Sequence, residues 1–172
     1  MNLFVLDENP KTAAQFNCDK HISKIILEVA QMLANCFEEE VLVDAPRTQK
    51  GTIRKHSYYN HPVSIWMRET LSNFIWSIEH AFGLEEERNY RGFTTPHFSI
   101  NFIRWAYDNF DKSVVKYGDL TPFAVAISPD KNCRKISNFD SLCSVEKYRL
   151  YYIHDKPFAN WTKRDIPYWF KK

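Results

Sequence analysis

The sequence predicts an all-α fold: one domain over residues 1–172, with three to four packed helices joined by long loops. Three observations carry this expectation. Apolar residues make up 44% of the chain and recur at helical spacing in several long segments. Only 4 Gly occur in 172 residues, too few for a many-turned all-β chain. The length suits one hydrophobic core and is short for two, and 16% aromatic residues mark a packed rather than a disordered chain.

The elements follow in order. Ile22, Ile25, Ile26, Val29, Leu33, Cys36 and Phe37 keep the i, i+3, i+4, i+7 rhythm of an amphipathic helix, which predicts a first helix over about residues 11–37. Residues 38–61 read as a long surface loop, with a short strand at "EVLV" (40–43). Pro62 suits the first turn of a helix, with Asn60 or His61 near its cap. Ile65, Trp66, Leu71, Phe74, Ile75, Ile78, Phe82 and Leu84 then carry a second helix to about Arg91, whose "EEER" run (85–88) reads as a solvated end. A third helix is expected over about 96–111 and a fourth near 144–154. Between these two, "GDLTPFAVAISPD" (118–130) is either a short helical piece or a buried extended one.

The N-terminus lacks the basic flank and length of a secretory signal, and no stretch approaches the ~20 apolar residues that span a bilayer. The expectation is a cytoplasmic protein without a membrane partner, its Cys18, Cys36, Cys133 and Cys143 reduced thiols. The net charge of +2 is partitioned: residues 1–45 carry 3 Lys against 8 Asp or Glu. Residues 46–61 hold Arg47, Lys50, Arg54 and Lys55 with no acid, and residues 145–172 hold 7 basic against 3 acidic side chains. Both basic segments interleave cations with rings. His56, Tyr58 and Tyr59 stand in the first, and Tyr152, Lys156 and several Trp and Tyr in the second, a combination suited to nucleic acid.

On a wheel of the first helix with Ile22 at zero, the apolar set falls within roughly 60° on either side, while His21 and Glu28 lie near ~260° and ~240°. They form one line bordering the buried stripe, with Asn35 continuing it. Boundary positions commonly tolerate polar residues that only cap or pair locally, while a half-desolvated carboxylate is also a device of active sites. Cys18, His21, His56 and His61 also permit a four-ligand zinc site to be drawn, although Cys18 belongs to the buried stripe.

In "CDKHISKIILE", Asp19-Lys20-His21 followed by Glu28 resembles the pyrimidine-dimer DNA glycosylases with AP-lyase activity, the phage endonuclease V type. That family carries Asp-x-His and, seven residues after the His, its catalytic Glu. "NHPVSIWMRETLSNFIWSIEHAFGLEEERNYRGF", "GDLTPFAVAIS" and "YRLYYIHDKPFANW" are similar to further family segments in the same order, spanning most of the chain.

The resemblance implies a helical fold whose N-terminus threads close to the first helix. It implies a monomer that flips a base out of double-stranded DNA, with no metal and no organic cofactor. The α-amine attacks the sugar, forms a Schiff base and cleaves the strand with the help of the Glu. Because Asn2 is large enough to block removal of Met1, the nucleophile expected is the Met1 amine. The expected catalytic set is therefore Met1, Glu28 and His21. Asn2, Lys20, Lys24, Arg47, Lys50, Arg54, Lys55, His56, Tyr58, Tyr152 and Lys156 are expected to bind nucleic acid. Leu27 and Gln31 stand where the family places arginines, a departure that suits a different modified base. It also suits a phage enzyme that transfers a group to a pyrimidine, or a phage protein that binds nucleic acid without catalysis.

Overall fold

Asn9 and Pro10 open the first helix. The Asn9 side chain accepts the N–H of Thr12 at 3.0 Å and Pro10 supplies a preset φ at the first helical position, so α1 (Pro10–Phe16) starts without an orphan donor there. In the computed structural model, which describes residues 1–171, six more α-helices follow, with no strand among the described residues. They are α2 (Asp19–Leu33), α3 (Glu39–Leu42), α4 (Pro62–Glu69), α5 (Leu71–Arg91), α6 (Ile100–Asp108) and α7 (Ser144–Asp155). The all-α expectation holds. None of the helices is long and apolar enough to cross a membrane.

The boundaries differ from the sequence reading in several places. The first helix is broken at Asn17 and Cys18, whose backbones are extended; Asn17 turns its side chain back to donate to the Ala13 carbonyl at 2.9 Å. "EVLV" belongs to the helical turn α3 and the residue that follows it, not to a strand. The long second helix is interrupted at Thr70, which leaves α4 in extended geometry and caps α5 by accepting the N–H of Asn73 at 3.2 Å. Residues 119–128 form no helix, which removes the helical alternative for this segment, and Tyr148 on α7 secures them by donating to the Ala124 carbonyl and accepting the Ala126 N–H.

Helix α5 is the axis of the domain, with α1, α2, α4 and α6 packed around it. Gly83 sets the α1 crossing, because a Cβ there would lie 2.9 Å from the Cβ of Ala14. The helix ends on Gly92 at φ 104°, the left-handed cap for which glycine is suited. Its C-terminal end is not solvated as the acidic run suggested. Glu87 is buried and accepts from Arg91 and Arg164, while Arg88 donates to Glu85, Ser23 and the Thr95 carbonyl.

Residues 2–6 run buried through the middle of this arrangement without a sheet to satisfy their backbone, so side chains do it. The Leu3 carbonyl faces His80 Nε2 at 3.1 Å, Arg149 donates to the Leu6 carbonyl at 2.9 Å, and Trp76 donates to the Glu8 carbonyl at 2.7 Å. The Asn2 side chain donates to the Ala126 carbonyl and accepts the Phe4 N–H. Phe4 itself adopts φ 46°, a left-handed conformation that costs a non-glycine residue on the order of 1–3 kcal/mol and that the surrounding packing imposes.

Candidate active site

Helix α2 carries Glu28 on the edge of its buried stripe, as the wheel places it, and the threaded N-terminus runs past that edge. The Asn2 N–H donates to Glu28 Oε2 at 2.7 Å, and the Met1 α-amine lies 3.9 Å from the same oxygen. Lys24, one turn earlier on α2, lies 3.6 Å from Oε1. Glu28 is 8% exposed, so this is a carboxylate largely out of water with an amine and an ammonium facing it. The Met1 side chain packs against the hydrophobic core, which fixes where its amine points.

His21, two turns before Glu28, is held from several sides. Its ring stacks on Phe4 at 4.3 Å with the planes 5° apart, and its Nδ1 meets the Tyr152 hydroxyl. The direction of that bond follows from its neighbours. Asn17 donates its amide to the Ala13 carbonyl, so its Oδ1 faces Tyr152 and accepts the hydroxyl proton at 2.9 Å. The hydroxyl has no second proton, so His21 donates from Nδ1 and keeps its lone pair on Nε2. Burial, with the charges of Lys156 and Lys24 adding to it, pulls the imidazole down to about 3. His21 is thus neutral at pH 7 and 4% exposed. Its ring is a fixed wall of the site, with Nδ1 committed to Tyr152 and one face to Phe4.

A second imidazole borders the site. His61 caps α4 by accepting the Val63 N–H on Nδ1 at 3.2 Å. Burial lowers its pKa, the N-terminal ammonium lowers it further, and Glu28 opposes them. The sequence indicated His61 as a cap or a zinc ligand; its nearness to Glu28 depends on how α4 packs against α2, which no local pattern reveals.

Cations and rings form the outer rim. Lys20 lies 4.5 Å from the centre of the Phe158 ring, and Lys156 lies 4.3 Å from that of Tyr151, whose hydroxyl accepts from it at 3.1 Å. Asp19, beside Lys20, faces the scaffold instead. It accepts from Arg91, Thr162 and Asn160 and joins the C-terminal tail to α2 and α5. Burial opposes its charge, but the Thr162 and Arg91 hydrogen bonds outweigh that and hold its carboxyl below the usual range.

The expected nucleic-acid set divides. Lys20, Lys24, Lys156, Asn2 and Tyr152 gather with Met1, Glu28 and His21, but Asn2 is buried and Tyr152 fully so. Asn2 bonds the Ala126 carbonyl and the Phe4 N–H, and Tyr152 bonds His21. Arg47, Lys50, Lys55 and Tyr58 are exposed on the loop between α3 and α4, as a contact surface requires. His56 is half-buried, its Nε2 at 2.7 Å from the Phe37 carbonyl, and Arg54 is buried against Phe102. In the C-terminal tail, Trp161 donates to the Phe16 carbonyl and Phe170 packs on Trp161, so these rings seal the core. Among the described residues no three His, Cys, Asp or Glu are grouped to hold a metal. No protein-family model, no curated protein and no solved structure matches the chain.

Proposed function

We propose that the chain is a DNA-acting enzyme of glycosylase and AP-lyase type, working on a damaged or modified pyrimidine through its N-terminal amine. The observation that carries this reading is the amine of Met1 lying 3.9 Å from a carboxylate that the next main-chain N–H also binds. Proteins seldom bring an α-amine into a nearly dry pocket beside a carboxylate, since both groups lose hydration there. Such a pair has the parts for covalent catalysis on a sugar.

In the proposed reaction the neutral amine attacks C1′ of a flipped nucleotide. The glycosidic C–N bond breaks, and the base leaves with the bonding electrons and takes up a proton. Opening of the sugar ring and loss of the amine protons give an imine between Met1 and C1′. Removal of a C2′ proton then expels the 3′ phosphate, and water returns the free amine. Glu28 opposes the positive charge on the sugar and the imine and moves the protons. Lys20, Lys24 and Lys156 attract the backbone, while Tyr151 and Phe158 offer faces to unstacked bases. His21 holds Phe4 and so the path of the N-terminal segment.

Borohydride tests the reading directly, because it reduces an imine to a stable amine. A duplex with one abasic site should give a covalent protein-DNA species whose adducted peptide is the N-terminal one. Abasic DNA that is bound but never trapped contradicts the amine mechanism. If the reaction adds a group instead, nucleoside mass spectrometry of the treated DNA shows a gain in mass in place of a lost base.

A further inference from the structure

Arg54 differs from every other buried arginine in the chain. Arg88 and Arg91 spend their donors on carboxylates, a hydroxyl and backbone carbonyls. Arg54 is 7% exposed, its guanidinium lies 4.4 Å from the centre of the Phe102 ring, and its Nε has no hydrogen-bond partner. Among the described residues no carboxylate pairs with it. Burial alone lowers the pKa of the guanidinium, as expected of a cation without a counter-charge. A chain that satisfies its other buried guanidiniums leaves this one open, and a buried unpaired charge is costly unless something binds it.

Beside Arg54 is a cavity of about 360 Å³. Its lining includes Leu27 and Gln31 of α2, Lys50, His97 and Phe98, and none of the lining residues is acidic. His97 accepts the Ser99 N–H on Nδ1 at 3.2 Å, so the neutral ring carries its proton on Nε2 and is a donor. Burial, then the charges of Arg88 and Arg54, keep it below its ordinary value, with Glu85 opposing. The cavity thus brings together a fixed guanidinium fork, an ammonium, an imidazole N–H and the Gln31 amide. Leu27 and Phe98 supply apolar walls. This donor set is suited to a tetrahedral oxyanion on an organic group.

We propose that this cavity is a phosphate site for a nucleotide, with Arg54 as its permanent cation and Lys50 and His97 closing on the oxygens. The phosphate has two possible sources: the backbone of a bound strand, or a free mononucleotide. Gln31 is one helical turn beyond Glu28, with Cβ atoms about 5–6 Å apart, so a strand crossing Glu28 reaches the cavity. The site itself stands on Arg54 and the cavity; only its assignment to a DNA strand rests on the function proposed above.

The test titrates the full chain with inorganic phosphate, thymidine monophosphate and a short abasic duplex, at ionic strength balanced with chloride. The melting temperature of the wild type should rise with at least one of these probes, and Arg54→Met should abolish that response. Without ligand, Arg54→Met should melt no lower than the wild type, because it removes an unpaired buried charge. A purely structural arginine would do the reverse. Gln31→Glu should pair with Arg54, raise the melting temperature and cancel the ligand response without altering Arg54. This keeps the proposal testable if Arg54→Met does not fold.

Loss of duplex affinity in Arg54→Met, with the slope of log K against log salt reduced by about 0.9, identifies the strand as the source. A response to the mononucleotide with unchanged duplex affinity identifies the free nucleotide. A wild type indifferent to all three probes overturns the proposal. An amine adduct trapped by borohydride alongside that indifference refutes only the cavity, and a phosphate response without an adduct refutes only the amine chemistry.

Discussion

The main-chain N–H of Asn2 donates to Oε2 of Glu28 at 2.7 Å across 26 positions of sequence. A carboxylate is being used as the terminus of the chain's own entry path. Glu28→Gln keeps an acceptor for that N–H but removes the charge facing Met1 and Lys24. The borohydride adduct should fall by about 10²–10⁴-fold, in the range of a lost acid-base group, with the far-ultraviolet dichroism unchanged. Equal trapping by the variant would remove Glu28 from the mechanism.

The proposed nucleophile survives either fate of the first residue. With Met1 retained, its amine lies 3.9 Å from Glu28; with Met1 removed, the new α-amine is the Asn2 nitrogen that already touches it. Intact mass should decide which form exists, and peptide mapping should find the adduct on whichever residue is first. Acetylation of the amine should abolish trapping in both.

Acid should destabilise the fold in a defined window. Burial depresses His80 to about 4 and, with Lys156 and Lys24 adding to it, His21 to about 3, while in the unfolded chain both titrate near ~6.5. Below pH ~6.5 the unfolded chain binds protons that the native one refuses. Stability is then present in full above that value and is lost as pH falls toward the folded values. Each group removes about 1.4 kcal/mol per pH unit, an order-of-magnitude figure. Urea midpoints at pH 7.5, 6.0 and 5.0 should fall in that order, and His80→Gln should flatten the trend. A flat wild-type profile contradicts the assignment.

Tyr152→Phe removes one oxygen from the line Ala13, Asn17, Tyr152, His21 and leaves the His21 N–H and the Asn17 carbonyl oxygen without partners. The expected cost is about 1–3 kcal/mol in urea unfolding, with the ring shape retained. Because His21 then loses the partner that sets its tautomer, its ring carbon resonances should report a different protonated nitrogen.

In the proposed function Lys20 and Lys156, which lie over the Phe158 and Tyr151 rings, meet phosphates of the bound strand. Replacing each by Ala should reduce the salt slope of duplex binding by about 0.9 and weaken all sequences alike. A variant with unchanged slope means that its lysine serves only the ring beneath it.

What was legible in the sequence was local. The rhythm from Ile22 to Phe37 gave α2 its face and set Glu28 at the edge of it, and Pro62 and His61 marked the start of α4. The break before Asp19 was hidden because its causes are distant: the Asp19 N–H bonds the Asn160 carbonyl and its carboxylate binds Thr162. The same holds for "EEER", whose Glu87 is buried by Arg164 from the tail. Arg54 was indistinguishable from Arg47 and Lys55 because only the position of Phe102 decides which cation goes inside. The meeting of Met1 with Glu28 was implied by resemblance alone, since periodicity says nothing about which helix an extended segment crosses.

The side chains that clasp residues 2–8 have a consequence for the order of folding. The Leu6 carbonyl waits for Arg149, 143 positions later, and the Leu3 and Glu8 carbonyls wait for His80 and Trp76. Residues 2–8 are therefore among the last of the fold to settle, and they must stay out of non-native contacts until α7 exists. The Met1–Glu28 pair therefore forms only once α7 has docked, so chains truncated before Arg149 should carry helices but no placed amine.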